Sequence, residues 1–266
     1  MVITGGSSGI GLAAAAAFAR GGDEVVLLGR HPGRLQRAVE VVREAGGRTP
    51  AAYRADFAVL DEVREVGEKI AADLERVDVL ANNAGQLGPA GVTVDGFDVT
   101  MQVNHLAGFL LTHLLLDRLR AAGSARIVTT GSAAEAWGTL DVARPGRRQV
   151  SRWLSYGASK QANLLFTIEA ARRWAPYGIT PTCFFPGLVR SRFGLRSPLF
   201  SLGKLVFATP EQGANTLLWL ADDPAGLVPG GYFAWRRPFG ATGRSTDPHR
   251  AARLWEASLA AVYERK

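Results

Sequence analysis

Short apolar runs alternate with longer segments of helical periodicity along almost the whole chain. Runs of apolar and β-branched residues predict seven strands, at 2–4, 24–29, 49–54, 77–82, 125–130, 179–185 and 232–234. Segments with apolar positions three or four residues apart predict helices between them, at 9–20, 34–45, 59–74, 98–120, 155–174 and 210–221. Continuous apolar strands separated by helices indicate a parallel sheet that helices cover on both faces. We therefore predict the α/β class: a single doubly wound domain over residues 1–266, with a seven-stranded parallel sheet.

Two stretches fit neither the strand nor the helix pattern. Residues 136–154 are rich in Arg and Gly, and residues 193–208 are rich in Phe and Leu. No internal repeat and no low-complexity linker divides the chain at these points. Both stretches are therefore expected to be additions to one domain.

The composition is that of a soluble globular protein, with 47% hydrophobic and 21% charged residues. The longest apolar runs, such as 12–19, are far shorter than the ~18 residues that a membrane span needs. Cys183 is the single cysteine, so no internal disulfide can form and a cytoplasmic location is expected. The first predicted strand begins at once and is short for a central strand, which leaves open whether the natural start lies upstream of Met1.

The positive charge is concentrated in one part of the chain. Of the net charge of +7, residues 142–210 supply eleven basic side chains against a single acid, Glu169. Such a region can meet nucleic acid, but no helix-turn-helix, zinc or aromatic-stacking signature accompanies it. An anionic cofactor or substrate explains the charge with fewer assumptions, and contact with an acidic carrier protein or a membrane surface stays open.

A glycine-rich loop joins the first strand to the first helix and reads Thr4-Gly5-Gly6-Ser7-Ser8-Gly9-Ile10-Gly11. Glycines at such a junction permit a tight turn and let a pyrophosphate approach backbone N–H groups at the positive end of a helix. A tight turn used only for packing is the alternative. The strand before the loop and the helix after it favour a Rossmann-type dinucleotide site, and the absence of a following Lys-Ser/Thr pair excludes a phosphate-transferring P-loop.

Arg30 follows the second strand, where the residue type distinguishes two cofactors. An acid there would bind the ribose 2′-hydroxyl of NAD, whereas an Arg can pair with the 2′-phosphate of NADP. We therefore expect NADP(H) to be preferred over NAD(H), unless Arg30 is only a solvated surface residue. Asp56 and Phe57 follow the third strand at the expected adenine edge, and the alternative for Asp56 is a cap of the next helix.

Tyr156 and Lys160 are four residues apart on a predicted helix, which places both side chains on one face. A free Tyr has a pKa near ~10, so it is a poor base at neutral pH until a cation favours its phenolate. Lowering this pKa by roughly three units requires about 4 kcal/mol, which a close and partly desolvated ammonium can supply. The pair suits proton transfer to or from a substrate hydroxyl or carbonyl, although the same spacing also occurs on solvated helices.

Six motifs occur in a fixed order along the chain: the loop at 4–11, Asn82-Asn83-Ala84-Gly85, Asn104, Ser132, Tyr156-x3-Lys160 and Pro186-Gly187. In their order and rough spacing they resemble the short-chain dehydrogenase/reductase family, and the resemblance covers essentially the whole chain. The segments 104–116 and 252–256 are similar to segments typical of the retinol dehydrogenase and WW-domain-oxidoreductase branch. Ser132 and Tyr156 are 24 positions apart, farther than in compact members, so 136–154 would be a loop inserted near the active site.

The resemblance implies a role for each motif. Tyr156 would exchange a proton with the substrate oxygen, Ser132 would hold that oxygen, and Lys160 would bind the nicotinamide ribose and lower the Tyr156 pKa. Asn104 would hold a water that links Lys160 to solvent. The implied cofactor-binding residues are Gly5, Ser7, Ser8, Gly9, Ile10, Gly11, Arg30, Asp56, Phe57, Asn82, Ala84, Gly85, Tyr156, Lys160, Pro186, Gly187, Val189 and Ser191.

An apolar stretch near 190–208 lies where the family places its substrate lid. Its apolar residues are Phe193, Leu195, Leu199, Phe200, Leu202, Leu205, Val206 and Phe207. A lid of this kind would exclude water and accept a lipophilic ketone, aldehyde or secondary alcohol, but a helix packed on the core fits the periodicity equally well.

The predicted function is NADP(H)-dependent interconversion of a carbonyl and an alcohol on a lipophilic substrate, by hydride transfer with acid/base catalysis by Tyr156. A homodimer or homotetramer is expected. The alternative is a catalytically silent dinucleotide sensor or scaffold on the same fold, which would be expected to lose Tyr156 or Lys160.

Overall fold

The computed structural model describes residues 1–189 and 207–264, and within them eight strands form one sheet. The strands are β1 Val2–Thr4, β2 Val26–Gly29, β3 Ala51–Arg54, β4 Val79–Asn82, β5 Arg126–Thr130, β6 Thr180–Phe184, β7 Tyr232–Ala234 and β8 Arg237–Pro238. Their order across the sheet is β3-β2-β1-β4-β5-β6-β7-β8.

The seven predicted strands are confirmed, and they pair in parallel. The prediction of a seven-stranded, wholly parallel sheet needs one correction, because β8 adds an antiparallel edge strand to β7. This strand has only two residues and contains Pro238, which cannot donate to a ladder, so the sequence carries no strand signal there.

The helices are α1 Gly9–Arg20, α2 Pro32–Gly46, α3 Leu60–Asp73, α4 Val99–Met101, α5 Ala107–Leu114, α6 Leu116–Ala121, α7 Arg152–Trp174, α8 Pro210–Asp222, α9 Gly243–Thr246 and α10 Pro248–Tyr263. A π-helical turn, Gln102–Leu106, separates α4 from α5. The single helix predicted over 98–120 is therefore wrong in detail, since the segment consists of three short α-helices and this π turn. The sequence prediction also missed α10, which packs against α7.

Two apolar layers cover the two faces of the sheet. On one face, residues such as Ala14, Leu35 and Leu217 join α1, α2 and α8 to the strands. On the other face, residues such as Leu110 and Phe166 join α5 and α7, and Trp255 of α10 stacks on Phe166 with 5.9 Å between ring centroids. No helix of the described ranges combines the length and the apolar character that crossing a membrane requires.

The direction of winding reverses between β1 and β4, because β1 has β2 on one side and β4 on the other. In open parallel sheets the carboxyl ends of the strands at such a reversal enclose a ligand crevice. The glycine loop after β1 and the Asn82–Gly85 segment after β4 both lie at this point. The fold therefore brings the first two sequence motifs together.

Candidate active site

The hydroxyl group of Thr4 joins the glycine loop to the segment after β4. Thr4 Oγ1 donates to the carbonyl of Ala81 at 3.1 Å and accepts from the backbone N–H groups of Asn83 and Ala84, both at 2.9 Å. The Asn83 side chain donates back to the Thr4 carbonyl at 3.0 Å. These bonds fix the distance between the two segments, with Thr4 itself buried.

Close backbone contacts explain the glycines of this loop. Gly5 has φ +67°, and a Cβ there would lie 3.0 Å from the Ala84 Cα. A Cβ on Gly11 would lie only 2.6 Å from the Gly5 carbonyl oxygen. The first turn of α1 carries no acidic residue, and Ser8, at its N-cap, makes no capping bond with its side chain. The positive end of α1 thus suits an anionic group, which fits the dinucleotide pyrophosphate predicted for Ser7 to Gly11.

Arg30 and Asp56 lie together beyond β2 and β3, with Arg30 Nη1 3.7 Å from Asp56 Oδ2. About half of the Arg30 side chain (51%) is exposed, so it can turn to an incoming phosphate. Asp56 does not cap α3, because the N-cap of that helix is Val59, and its Oδ1 accepts instead from Ala58 N–H at 3.0 Å. Phe57 is buried in the core, so a cofactor contact by its side chain is not favoured.

Asn82, Ala84 and Gly85 follow β4 as predicted, but their side chains serve different purposes. Asn82 Nδ2 donates to Thr112 Oγ1 of α5 at 2.9 Å, which fixes the strand end to the helix. Gly85 faces the site: a Cβ on it would lie 3.3 Å from Asn104 Oδ1 and 3.9 Å from Lys160 Nζ. The lack of a side chain at Gly85 therefore leaves room above the lysine.

Tyr156 and Lys160 lie on α7 with their side chains adjacent, and Lys160 Nζ is 5.5 Å from the centroid of the Tyr156 ring. Lys160 is 3% exposed and donates to the Thr130 carbonyl, at the end of β5, over 2.8 Å. Burial lowers the pKa of Lys160 to about 8, against a smaller opposing effect of the Cys183 thiol. Tyr156 is partly buried and hydrogen-bonds to Ser132.

The predicted lowering of the Tyr156 pKa by Lys160 is not what this structure favours. Burial raises the pKa of Tyr156 to about 12, and the hydrogen bond with Ser132 opposes that rise only in part. Lys160 directs its ammonium at the Thr130 carbonyl. The raised pKa favours the neutral phenol form of Tyr156 at physiological pH.

Two glycines allow Ser132 to reach Tyr156. Ser132 caps a 3₁₀ turn, Ala133–Trp137, by accepting from Ala134 N–H at 3.2 Å. This turn packs directly against α7: a Cβ on Gly138 would lie 2.5 Å from the Gly157 carbonyl oxygen. A Cβ on Gly157 would lie 2.8 Å from the Ala134 carbonyl oxygen. The two backbones could not approach so closely with any larger residue at either position.

Asn104 lies within the π turn and is buried. Its Oδ1 accepts from Gln86 N–H at 2.7 Å, and its Nδ2 donates to the Gln86 carbonyl at 3.1 Å and to Ser159 Oγ at 3.0 Å. The side chain thus holds the segment after Gly85 against α7. The water link to Lys160 stays a prediction, since both polar atoms of the side chain are already bonded. π turns inside α-helices are frequent at functional sites.

The Pro186–Val189 segment follows β6 at the same edge of the sheet. Val189 bridges to Ala208, and its Cγ2 is 2.7 Å from the position a Cβ would take on Gly213 of α8. Ile10 of the glycine loop approaches the same position to 3.2 Å. The segment predicted to contact the nicotinamide and the segment predicted to bind the pyrophosphate therefore both approach α8 at Gly213. Ser191 and nearly all of the predicted lid lie outside the described residues.

Asp98 is a positioning residue that the sequence reasoning missed. Its Oδ1 caps α4 by accepting from Thr100 and Met101 N–H, both at 3.0 Å, and also accepts from the hydroxyl of Ser155. Its Oδ2 accepts from Gln149 N–H at 3.3 Å. One buried carboxylate thus holds the inserted loop and the residue before Tyr156. The capping pattern at Asp98 was readable, but its partners 51 and 57 positions away were not.

Glu135 is a second buried carboxylate that the sequence reasoning missed, three residues after Ser132. It accepts from Thr242 N–H at 3.0 Å, from Thr242 Oγ1 at 2.7 Å and from the hydroxyl of Ser245. These bonds fasten α9 to the 3₁₀ turn that carries Ser132. Asn83 was likewise passed over within its motif, although it forms the bonds to Thr4.

Comparison with known proteins gives a consistent result. Residues 1–197 match the family described as short chain dehydrogenase. The chain is 45% identical to "Putative daunorubicin C-13 ketoreductase DnrU" of Streptomyces sp. (strain C5), over 98% of this chain and 92% of that protein. It is 35% identical to retinol dehydrogenase 14 of Mus musculus, over 97% of this chain and 84% of that protein.

A solved structure supports the same assignment. The short chain dehydrogenase of Burkholderia cenocepacia J2315 in complex with NADP is 27% identical, with a TM-score of 0.70 over 87% of this chain and 94% of that one. The likeness to retinol dehydrogenases agrees with the branch that segments 104–116 and 252–256 indicate. The chain therefore belongs to the short chain dehydrogenase family.

Proposed function

We propose that this protein interconverts a carbonyl and an alcohol on a lipophilic substrate with NADP(H), and that Tyr156 is the general acid/base. One observation carries the proposal: the Tyr156 phenol is hydrogen-bonded to Ser132 and lies beside the buried ammonium of Lys160. When bound, NADP(H) would supply or accept the hydride. The protein's part is to hold the substrate oxygen and to move one proton.

In the reductive direction, Tyr156 donates its phenolic proton to the substrate oxygen as negative charge develops there. A phenol with a pKa of about 12 is protonated across the physiological range, so the acid is ready before the reaction begins. Ser132 donates a second hydrogen bond to the same oxygen. The positive charge of Lys160, 5.5 Å from the ring, stabilises the phenolate that the proton transfer leaves.

The preference for NADP(H) rests on Arg30 and on the absence of an acid at the end of β2. Arg30 would turn part of its guanidinium from Asp56 to the 2′-phosphate. Ser7 lies beside Gly29, the residue before Arg30, with its Oγ 2.9 Å from the position of a Cβ on Gly29. The glycine loop and the open start of α1 would receive the pyrophosphate. Lys160 would contact the nicotinamide ribose in the room that Gly85 leaves.

The lipophilic character of the substrate is supported by apolar side chains at the carboxyl edge of the sheet. Leu188, after β6, is 57% exposed, and Trp235, after β7, is 67% exposed. Relatives named for retinol and for daunorubicin are consistent with large substrates. The lid expected at 190–208, the homodimer or homotetramer and the cytoplasmic location stay predictions.

The test is turnover of a panel of ketones and aldehydes, followed by the loss of NADPH absorbance, in wild type and in Tyr156→Phe. Removal of the proton donor should reduce kcat by roughly 10²- to 10⁴-fold while NADPH binding is retained. Tyr177→Phe is the matched control, because Tyr177 is exposed near the start of β6, at the opposite edge of the sheet. Near-normal turnover by Tyr156→Phe would refute the mechanism.

A further inference from the structure

The turn between β7 and β8 has an unusual backbone. Trp235 has φ 51° and Arg236 has φ 60°, and they are the non-glycine residues with positive φ in the described part of the chain. Two-residue hairpin turns with both residues in the left-handed region strongly favour Asn and Gly, because larger side chains are strained there. A bulky aromatic residue in this conformation is an outlier of the kind that clusters at ligand sites.

The turn lies at the edge of the sheet where the active site is. Because β7 pairs in parallel with β6, the carboxyl ends of both strands lie at the same edge. The Trp235 indole comes within 3.9 Å of the position that a Cβ on Gly187 would take. Its ring centroid is 6.0 Å from that of Phe185, the residue that follows β6. Trp235 is thus next to the segment proposed to contact the nicotinamide.

A small aromatic cluster supports the indole from one side. Phe185 and Phe239 contact Trp235 at interplanar angles of 72° and 79°, and Tyr232 contacts Phe239 at 80°. These edge-to-face contacts fix the orientation of the ring, while 67% of the Trp235 surface remains exposed. The two-residue turn and the cluster together hold an apolar aromatic surface open at the cleft edge.

We infer that Trp235 forms one wall of the substrate site and stacks against a planar aromatic ring of the carbonyl or alcohol substrate. This inference rests on the proposed function and names the substrate class of the same site. A rigid indole recognises a flat ring better than a puckered one, since only the flat ring gains the full stacking contact. Such a contact between rings corresponds to roughly a two- to tenfold preference in affinity.

The test compares two ketones of the same skeleton, acetylnaphthalene and its saturated counterpart acetyldecalin. Dissociation constants are measured by equilibrium dialysis against the NADP⁺-loaded enzyme, and kcat/KM is measured with NADPH. Wild type should bind the flat ketone at least about threefold more tightly than the puckered one. Trp235→Leu should bring this ratio close to one, and Trp235→Phe should retain part of it.

Tyr177→Leu is the control, because it removes an exposed aromatic ring at the opposite edge of the sheet, and its ratio should equal that of wild type. The inference is overturned if wild type shows no preference or binds neither ketone, or if Trp235→Leu keeps the wild-type ratio. It is also overturned if Tyr177→Leu lowers the ratio equally. The binding ratio does not require turnover, so a failure of this inference is distinct from retained activity in Tyr156→Phe, which would refute the proposed function.

Discussion

Replacing Gly157 by alanine should impair catalysis although Gly157 carries no reacting group. The new Cβ would lie 2.8 Å from the Ala134 carbonyl oxygen and 3.0 Å from the Gly138 Cα. Ordinary contact begins at 3.4 Å, so the turn with Ser132 must move from α7 by about 0.6 Å, and overpacking of this kind costs about 1–3 kcal/mol. Part of this cost is offset by the ~0.5–1 kcal/mol that alanine gains over glycine inside a helix.

The same displacement lengthens the hydrogen bond between Ser132 and Tyr156. Catalytic groups need to be held within about 0.5 Å, and an error of 1 Å can reduce the rate by about 10², so kcat should fall roughly ten- to a hundredfold. Pyrophosphate binding should change little, because the glycine loop follows β1, which β4 separates from β5, the strand that Ser132 follows. The Tm should fall by several degrees, at about 2–4 °C per kcal/mol for a chain of this size.

The assay is kcat/KM with NADPH for the best ketone of the panel, together with Tm by calorimetry. The matched control is Gly33→Ala, since Gly33 is also in a helix and a Cβ there would meet nothing within 4 Å. That variant should keep full activity and a Tm at or above that of wild type. Unchanged kcat in Gly157→Ala would refute the positioning argument, even if its Tm falls.

Three further predictions follow from the same site. Arg30→Asp should remove a phosphate contact of roughly 1.5–3 kcal/mol, near the lower end since Arg30 is half exposed, and so reduce the preference for NADPH over NADH about tenfold or more. The control Arg48→Asp should leave this preference unchanged. Equal binding of NADH and NADPH by wild type would contradict the prediction. The charge of Lys160 is present below its pKa of about 8 and lost as the pH rises through that value, so kcat/KM for carbonyl reduction should fall above about pH 8. Lys160→Arg should move this fall to higher pH, and an identical profile would contradict the assignment. Arg236→Gly should relieve about 1–2 kcal/mol of strain from the left-handed backbone conformation. Glycine also makes the unfolded chain more flexible, which offsets about 0.4–1 kcal/mol of this gain, so Tm should rise by a few degrees. A lower Tm would show that the turn is not strained.

The sheet could be predicted from the sequence because each central strand is a continuous apolar run bounded by polar or glycine residues. β2 shows the accuracy of such boundaries: the run suggested 24–29, and the strand is Val26–Gly29. The break in the helix over 98–120 could not be predicted in this way. Polar residues such as Gln102 and Asn104 are buried there together with the apolar ones, so no polar face marks the π turn at Gln102–Leu106.

The identities of the site residues were accessible for a similar reason, because Tyr156 and Lys160 are close in sequence. The direction of the Tyr156 pKa was not accessible, since it depends on how far the surrounding fold removes water from the phenol. The approach of Gly138 to Gly157 was also hidden, because each glycine alone resembles an ordinary helix or turn residue. Contacts between distant segments, such as Asp98 to Ser155, have no local signature.

Because the carboxylate of Asp98 binds the inserted loop through a backbone N–H, the side chains of the loop can change without loss of this contact. Both the loop and the start of α7 are fastened to this one side chain, through Gln149 N–H and the Ser155 hydroxyl. The exposed tip, with Arg147, Arg148 and Val150, lies outside these bonds. A loop of different length or chemistry could replace the tip without shifting Tyr156, provided that one backbone N–H still reaches Asp98. Loss of the Asp98 side chain would remove one attachment of the loop and one of the first turn of α7 together, while the bond from Leu140 N–H to Gln161 would still hold the start of the loop. Asp98 is therefore the position at which a change in the loop is passed on to the residue before Tyr156.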